Sequence, residues 1–268
     1  MCYAARGFEK GGQDKDPIKI TAQGRSGTRV RRPNFASMSP IRIVFFTGAG
    51  VSAESGLRTF RDSDGLWEEY RLEDVATPEA WARDPELVLR FYDLRREQVV
   101  KASPNAAHEA IAALEDSFHV QVVTQNIDDL HERAGSSKVL HLHGEILKAR
   151  STADHSLVFP VTGPHLRPGD KCPRGSQLRP HIVWFGEEVP LLMPAAALVA
   201  QADVLVVIGS SLQVYPAAGL VHSASPSAPI HLVDPSAVST QGVRFTHWKE
   251  KASLGVPKLA QFLRETYN

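Results

Sequence analysis

The chain has 268 residues, of which 43% are hydrophobic and 22% are charged, and this length and apolar content suffice for one large domain or two. Thirty Lys and Arg residues balance thirty Asp and Glu residues, so the overall charge excludes both a polycation that binds nucleic acid and a polyanion. Two cysteines are too few for a disulfide framework, and no apolar run is long enough to span a bilayer, so we expect a cytoplasmic protein without a membrane partner.

The first forty residues differ in composition from the rest of the chain. They contain eight Lys or Arg against three Asp or Glu and show no apolar periodicity, so residues 1–40 are predicted to be a disordered basic tail. An organelle transit peptide is a second interpretation, although the three acidic residues argue against it. A third is translation from Met38, directly before the first predicted strand. The folded domain is predicted over residues 41–268.

From residue 41 onward, short apolar segments alternate with segments of helical periodicity. Buried strands are predicted at residues 41–47, 119–124, 203–208 and 230–233, and helices at residues 85–101, 104–114, 190–201 and 254–266. This alternation is typical of an α/β fold with a Rossmann-like, doubly wound parallel sheet. Two segments interrupt it, and we expect a smaller inserted subdomain formed by about residues 56–100 and 148–182.

A glycine-rich run follows the first predicted strand. Residues 47–53 fit the pattern G-x-G-x-x-G/A, and helix-compatible sequence comes after them, so backbone N–H groups and a helix dipole can cradle a pyrophosphate here. The alternative is a tight turn that needs glycine for structural reasons alone. A serine-hydrolase elbow is excluded, because neither Ser52 nor Ser55 lies in a G-x-S-x-G pattern.

Four further motifs accompany the run at residues 48–57, namely residues 58–61, 125–128, 142–144 and 183–186. Together the five motifs resemble the sirtuin family, and the similarity extends from about residue 41 to the C-terminus. The resemblance implies an enzyme that binds NAD between a Rossmann-type domain and a smaller domain and removes acyl groups from protein lysines. The products would be the free lysine, nicotinamide and O-acyl-ADP-ribose.

The resemblance also implies the residues of the NAD site. Those that would contact the pyrophosphate, close over NAD, form the nicotinamide pocket or contact the cofactor elsewhere are Gly48, Ala49, Gly50, Ser52, Arg58, Phe60, Arg61, Gln125, Asn126, Ile127, Asp128, Gly209, Ser210, Ser211 and Ala252. From its position alone, Asp128 is equally suited to cap a helix.

His143 is the expected general base, because an imidazole titrates near neutral pH and the reaction removes a proton from a ribose hydroxyl. His141 would lie on the same side of a strand, and the residues alone do not distinguish the two; the family pattern favours His143. Val183, Trp184, Phe185 and Gly186 are predicted to form a short strand that, by the resemblance, pairs with the substrate peptide.

Tyr92 and Arg95 are three residues apart in a predicted helix and therefore share one face. A phenol and a guanidinium there can bind a carboxylate together, and the pair resembles the sirtuin class that prefers succinyl-, malonyl- or glutaryl-lysine. Ala76 leaves space nearby, so weaker removal of acetyl groups is also expected. The alternative is an ordinary solvated helix face, since further charged residues lie close by.

The chain departs from the family pattern where most sirtuins hold a structural zinc with four cysteines. Only Cys172 remains there, and Ser151 stands where another cysteine is expected, so no zinc is predicted. We expect a monomer that acts on acyl-lysine proteins and has no specific nucleic-acid partner. The alternatives are protein mono-ADP-ribosyl transfer from the same NAD site and an NAD-binding regulator with weakened catalysis.

Overall fold

The computed structural model describes residues 40–57, 66–67, 70–163, 165–236, 238 and 242–267. The predicted tail lies outside these residues except for Pro40, and so do Arg58, Phe60 and Arg61 of the predicted NAD site. Among the described helices, none has the length and apolar content needed to cross a membrane.

The strands, in chain order, are β1 (Arg42–Thr47), β2 (Leu66–Trp67), β3 (Tyr70–Arg71), β4 (His119–Thr124), β5 (Val139–His141), β6 (Gly144–Ser151), β7 (Val158–Pro160), β8 (Leu178–Ile182), β9 (Val204–Ile208), β10 (Ile230–Val233) and β11 (Thr246–Trp248). The α-helices are α1 (Leu72–Val75), α2 (Pro78–Arg83), α3 (Pro85–Lys101), α4 (Ala106–Ala113), α5 (Leu130–Arg133), α6 (Leu192–Ala200) and α7 (Ala252–Tyr267). Short 3-10 turns include Ala49–Val51, Ala53–Ser55 and Ala217–Ser223.

Six parallel strands form the main sheet, in the order β11-β10-β9-β1-β4-β5. Numbered among these six, the order is 3-2-1-4-5-6 read from the β5 edge, which is the doubly wound Rossmann arrangement. The fold class predicted from the sequence is therefore confirmed. The sequence pattern missed the edge strands β5 and β11, which are only three residues long.

Alternate residues of the central strands pack on opposite faces of the sheet. Ile43 and Phe45 of β1 lie in a core with α4 and α7, whereas Val44 and Phe46 lie in a second core with α6 and the 3-10 segment Ala217–Ser223. Strands buried on both faces are expected to read as continuous apolar runs, and this is why β1 and β9 were recognisable from the sequence.

A second sheet is antiparallel, with the order β7-β6-β8, and Leu89 of α3 shares a core cluster with Ala149 of β6. Helix α3 occupies the predicted bounds. It begins at Pro85, where the Asp84 carboxylate accepts a hydrogen bond of 2.9 Å from the Leu87 N–H, and it ends before Ala102, whose backbone is extended ahead of Ser103 and Pro104. An N-cap carboxylate and proline at the first helical position are common helix starts.

Two predicted helices differ from the structure near the glycine run. Within residues 48–57, the part of this region that the structure describes, two 3-10 turns stand in place of an α-helix. Helix α4 begins at Ala106 rather than at residue 104, because the side-chain oxygen Oδ1 of Asn105 accepts a hydrogen bond of 2.9 Å from the Ala107 N–H. The Asn105 amide also donates to the Val51 carbonyl and the Ser55 hydroxyl, both at 2.9 Å. Asn105 thus joins α4 to the glycine run.

His108 completes this helix cap from inside the protein. It is fully buried, its Nδ1 accepts a hydrogen bond of 3.3 Å from the Asn105 N–H, and its ring contacts His131 with ring centroids 4.8 Å apart. Burial, with a smaller contribution from the Arg133 charge, lowers the pKa of His108 to about 4. An acceptor at Nδ1 and a low pKa both require the neutral ring.

This pKa predicts a loss of stability in acid. Between its ordinary pKa of 6.5 and about 4, the unfolded chain binds a proton at His108 and the folded chain does not, so the free energy of unfolding falls as the pH drops through that window. From pH 7 to pH 5, His108 accounts for about 2 kcal/mol of the loss. In His108→Gln, the side chain keeps the acceptor for Asn105 without titrating. The difference between the free energies of unfolding at the two pH values, measured by urea denaturation, should therefore shrink by that amount.

The control is exposed His222→Gln, which should keep the wild-type difference. Equal differences in all three proteins would contradict the prediction.

Candidate active site

A cavity of about 740 Å³ opens at the carboxyl ends of the central parallel strands, where ligands bind in doubly wound folds. Its size lies within the usual range of small-molecule sites, about 300–1,000 Å³. Every predicted site residue that the structure describes lines it: Gly48, Ala49, Gly50, Ser52, Tyr92, Arg95, Gln125, Asn126, Ile127, Asp128, His143, Val183, Trp184, Phe185, Gly186, Gly209, Ser210, Ser211 and Ala252.

The glycine run packs against the turn after β9, backbone to backbone. The Gly50 N–H donates to the Gly209 carbonyl at 2.9 Å, and a Cβ added to Gly50 would lie 2.6 Å from the Gly209 Cα. Gly209 itself has a φ of +58°. The contact between two loops that follow neighbouring strands therefore requires glycine on both sides.

Hydrogen bonds inside the protein use most N–H groups of the run. Those of Gly48, Gly50, Val51 and Ser52 donate to the carbonyls of Ile208, Gly209, Gly48 and Ala49. Of residues 48–52, the Ala49 N–H remains for a ligand, and the 3-10 turns replace the predicted helix dipole. The expected cradle of many N–H groups is thus smaller than the sequence pattern suggests.

Three polar side chains after β1 and β4 form a buried hydrogen-bonded set. The Ser52 hydroxyl donates to Asp128 Oδ2 at 3.0 Å and accepts from the Asn126 amide at 3.0 Å. Asp128 Oδ1 also accepts from the Leu130 N–H at 3.2 Å. This carboxylate therefore binds a backbone N–H at the start of α5 and also lines the cavity. Burial raises the pKa of Asp128, although its hydrogen bonds from Leu130 and Ser52 oppose the change.

His141 and His143 have different environments. Both nitrogens of His141 face acceptors, the Asn126 carbonyl at 3.0 Å and the Glu132 carboxylate at 2.8 Å. Burial acts to lower the pKa of His141, but the hydrogen bond and charge of Glu132 outweigh it and the pKa is raised. A cationic ring with both N–H groups engaged has no basic nitrogen, so His141 is unsuited to the role of a base.

His143 lines the cavity, and a backbone carbonyl fixes the orientation of its ring through Nδ1. Its Nδ1 lies 3.0 Å from the Gln125 carbonyl, and because a carbonyl only accepts, Nδ1 carries the proton. In the neutral ring Nε2 therefore has the lone pair. Burial lowers the pKa of His143, opposed in part by the bond to Gln125, so the ring is neutral and basic at pH 7.

Tyr92 and Arg95 lie in the wall of the cavity and are only 1% and 5% exposed. The interpretation as a solvated helix face is therefore wrong. The Tyr92 hydroxyl oxygen accepts from the Trp184 indole N–H at 3.1 Å, and Arg95 donates to the Gln98 side-chain oxygen at 3.1 Å. Burial raises the pKa of Tyr92, which keeps its phenol protonated.

Residues 183–186, predicted as a strand, instead have no regular structure at 183 and 184 and form a turn at 185 and 186; β8 ends at Ile182. The N–H groups of Val183 and Phe185 donate to the carbonyls of His143 and Ala76, at 2.9 and 3.0 Å, and the Trp184 N–H donates to the Glu187 carboxylate at 2.8 Å. A substrate strand paired here would have to use the carbonyls or the Gly186 N–H.

The region that holds zinc in most sirtuins has a donor set that does not fit the metal. The Cys172 thiol lies 3.5 Å from the Ser151 hydroxyl, and the Ser151 oxygen accepts from the N–H groups of Ala153 and Asp154. Asp154 pairs with Arg174 at 2.8 Å. Within the described ranges, no three His, Cys, Asp or Glu side chains are grouped to hold a metal, whereas a structural zinc site needs four such ligands.

Sequence reasoning missed part of the cavity wall. Additional lining residues include Glu54, Val214, Tyr215, Asp234, Ser236 and Lys251. The end of β10 was a usable signal for Asp234 and Ser236, since all parallel strands end at this edge. No local signal marked Glu54, whose carboxylate accepts from the N–H and hydroxyl of Ser253 at 2.9 and 2.7 Å and so ties the second 3-10 turn to the start of α7.

Comparisons with known proteins agree with this geometry. The family model described as Sir2 family matches residues 48–216. A protein of Bacteroides thetaiotaomicron named NAD-dependent protein deacylase is 50% identical over an alignment of 233 residues, with 82% of this chain and 97% of that protein covered.

Solved structures are similar over the same extent of chain. A crystal structure of a Sir2 homolog–NAD complex has a TM-score of 0.77 at 42% identity, with 85% of this chain and 91% of the other covered. A complex described as Sir2–p53 peptide–NAD+ has a TM-score of 0.66 at 30% identity and covers 83% and 92%.

Proposed function

The chain belongs to the Sir2 family and is an NAD-dependent protein deacylase, and we propose that it prefers lysines whose acyl group ends in a carboxylate, such as succinyl- and malonyl-lysine. Weaker removal of acetyl groups accompanies this activity. The observation that carries the proposal is the pair Tyr92 and Arg95, a phenol and a guanidinium buried in the wall of the cavity.

The residues present fit NAD at the glycine-rich side of the cavity. On this side, Gly48, Gly50 and Gly209 allow the loops after β1 and β9 to pack backbone to backbone, since a Cβ on any of them would collide with the facing loop. Ala49, Ser210 and Ser211, which line the cavity, are proposed to donate to the pyrophosphate, and Asn126 and Asp128 are proposed to bind the nicotinamide amide. When bound, NAD supplies the ribose carbon that accepts the acyl oxygen while nicotinamide leaves. Arg58, Phe60 and Arg61 are proposed to close over it.

His143 is proposed as the general base. The Gln125 carbonyl holds the proton on Nδ1, so Nε2 is the nitrogen that accepts a proton from a ribose hydroxyl. A lowered pKa keeps the ring unprotonated at neutral pH, which is the state that a base requires. The backbone carbonyl of His143 accepts from the Val183 N–H, so the base and the peptide-binding segment are held together.

The acyl end of the cavity is proposed to present the charge of Arg95, because salt bridges to Arg150 and Arg179 offset the neighbouring carboxylate of Glu187. Arg95 lines the cavity, and the guanidiniums of Arg150 and Arg179, with side chains 7% and 6% exposed, lie beside the single carboxylate of Glu187. A carboxylate at the end of an acyl chain would receive charge-assisted hydrogen bonds from Arg95 and Tyr92. Ala76 keeps this part of the cavity wide.

The proposal is tested by the products formed from matched peptides. The protein is incubated with NAD and with acetyl-, succinyl- and malonyl-lysine forms of one peptide, and O-acyl-ADP-ribose is measured by mass. The two acidic acyl groups should be removed with the higher kcat/KM. Fastest removal of acetyl would contradict the acyl preference, and ADP-ribose attached to protein without loss of an acyl group would favour ADP-ribosyl transfer.

Arg95→Met should selectively impair removal of acidic acyl groups. Because a hydrogen bond to a charged group contributes about 1.5–3 kcal/mol, kcat/KM for the succinyl peptide should fall about 10- to 100-fold, with a much smaller change for the acetyl peptide. The matched control is Arg90→Met, which removes an exposed charge from the same helix and should leave both values near those of the wild type. Equal losses on the two peptides would eliminate the carboxylate-binding role of Arg95.

A further inference from the structure

The acyl end of the cavity contains a hydrogen bond whose direction matters for specificity. The Trp184 indole N–H can only donate, and it points at the Tyr92 hydroxyl oxygen, 3.1 Å away. Both side chains are buried, 2% and 1% exposed, and both line the cavity. The phenol oxygen therefore accepts from Trp184, and its own proton must point elsewhere.

Several contacts hold the Trp184 ring in this orientation. The Arg179 guanidinium lies 3.6 Å from the centroid of the ring, a distance typical of a cation–π contact. Trp81 packs against the same ring with centroids 5.8 Å apart. These neighbours fix the plane of the indole and hence the direction of its N–H.

Glu187 holds the backbone and the arginine at the same time. Its carboxylate accepts from the Trp184 N–H at 2.8 Å, from two nitrogens of Arg179 at 2.8 Å and from Arg150 at 2.9 Å. The Glu187 N–H in turn donates to the Trp184 carbonyl at 3.0 Å. One carboxylate thus fixes both the turn that carries Trp184 and the cation stacked on its ring.

We infer that Trp184 is a positioning residue for acyl specificity: it occupies the Tyr92 oxygen as a donor, so the Tyr92 hydroxyl proton is directed into the cavity towards the carboxylate of an acidic acyl group. The inference rests on the proposed acyl preference and adds a residue to it. An acceptor near Tyr92 in place of Trp184 would draw the phenol proton away from the substrate. Trp184 acts here through its side chain, whereas the sequence implied only a backbone role in peptide binding.

The test is a double-mutant cycle with Trp184→Phe and Tyr92→Phe, read as the ratio of the KM for a succinyl peptide to the KM for the matched acetyl peptide at saturating NAD. Trp184→Phe should raise this ratio about 3- to 10-fold, as expected for loss of one buried hydrogen bond. In the Tyr92→Phe background, where no phenol remains to be oriented, the same change should alter the ratio less than twofold. The control Trp248→Phe removes another indole N–H, which donates to His231 at 3.3 Å outside the cavity lining, and it should leave the ratio within twofold of the wild type.

The outcomes separate the two proposals. A wild-type enzyme that removes succinyl no better than acetyl overturns the acyl preference and this inference with it. A clear succinyl preference, with a Trp184→Phe effect that is equal on both peptides or persists in the Tyr92→Phe background, overturns only the role of Trp184. If Trp184→Phe does not fold, replacement of Trp184 by 3-benzothienylalanine keeps the bicyclic shape and removes the N–H alone, and the same ratio decides.

Discussion

His143→Asn is expected to lower kcat/KM for deacylation about 100- to 10,000-fold, the usual contribution of a general base. His143 lines the cavity with its proton held on Nδ1 by the Gln125 carbonyl, so Nε2 is its basic nitrogen. Asparagine keeps a donor for Gln125 but has no basic nitrogen. The measurement is steady-state kinetics on a succinyl peptide, with NAD binding followed by calorimetry to show that the site is intact.

His141→Gln provides the contrast. His141 is paired with Glu132 and the Asn126 carbonyl, so its replacement should lower the melting temperature while the folded fraction keeps far more activity than His143→Asn. A folded His141→Gln protein as inactive as His143→Asn would contradict this assignment.

The pH profile gives a second check on His143. Burial lowers the pKa of His143, and protonation of the ring removes the base. Wild-type kcat/KM should therefore be lost only as the pH falls below the ordinary histidine value of 6.5.

Gly209→Ala should cause the largest structural damage near the NAD site. With a φ of +58°, a Cβ at residue 209 would lie 2.5 Å from the carbonyl carbon of Gly50 and from the Val51 nitrogen. Left-handed backbone and overpacking together cost about 2–5 kcal/mol. We therefore expect a melting temperature roughly 5–20 °C lower and loss of the thermal shift that NAD gives the wild type.

Gly175→Ala is the matched control for backbone strain. Gly175 has a similar positive φ, +83°, but an added Cβ there would meet no atom within 4 Å. That variant should lose only about 1–2 kcal/mol and should keep its stabilisation by NAD. If the two variants melt within a few degrees of each other and both still respond to NAD, the contact between the glycine run and residue 209 is not a tight constraint.

The sequence determined the fold class and most boundaries of the core elements, because these depend on local patterns. Apolar runs buried on both faces marked β1, β4, β9 and β10, and helical periodicity marked α3 over residues 85–101. The topology then implied a site, since the loops after parallel strands meet at one edge. Gly48, Gln125 and Gly209 come from three such loops, and the structure brings all three to one cavity.

What only the tertiary structure decided is how each side chain in that cavity is engaged. His141 and His143 are equivalent by spacing, and they differ because Glu132 and the Gln125 carbonyl approach different rings. Likewise, the i, i+3 spacing of Tyr92 and Arg95 shows that the two residues share a helix face, but it does not show whether that face is buried. Other elements of the folded chain cover it.

The turn at residues 183–187 shows the physical reason most clearly. An apolar run before a glycine reads as a strand, but the Glu187 carboxylate and the Ala76 carbonyl take up its N–H groups. The conformation of such a segment depends on hydrogen-bond partners that are distant in the sequence. They become neighbours only when the chain is folded. The acyl preference proposed here depends on that kind of contact, because Trp184 and Tyr92 are 92 residues apart.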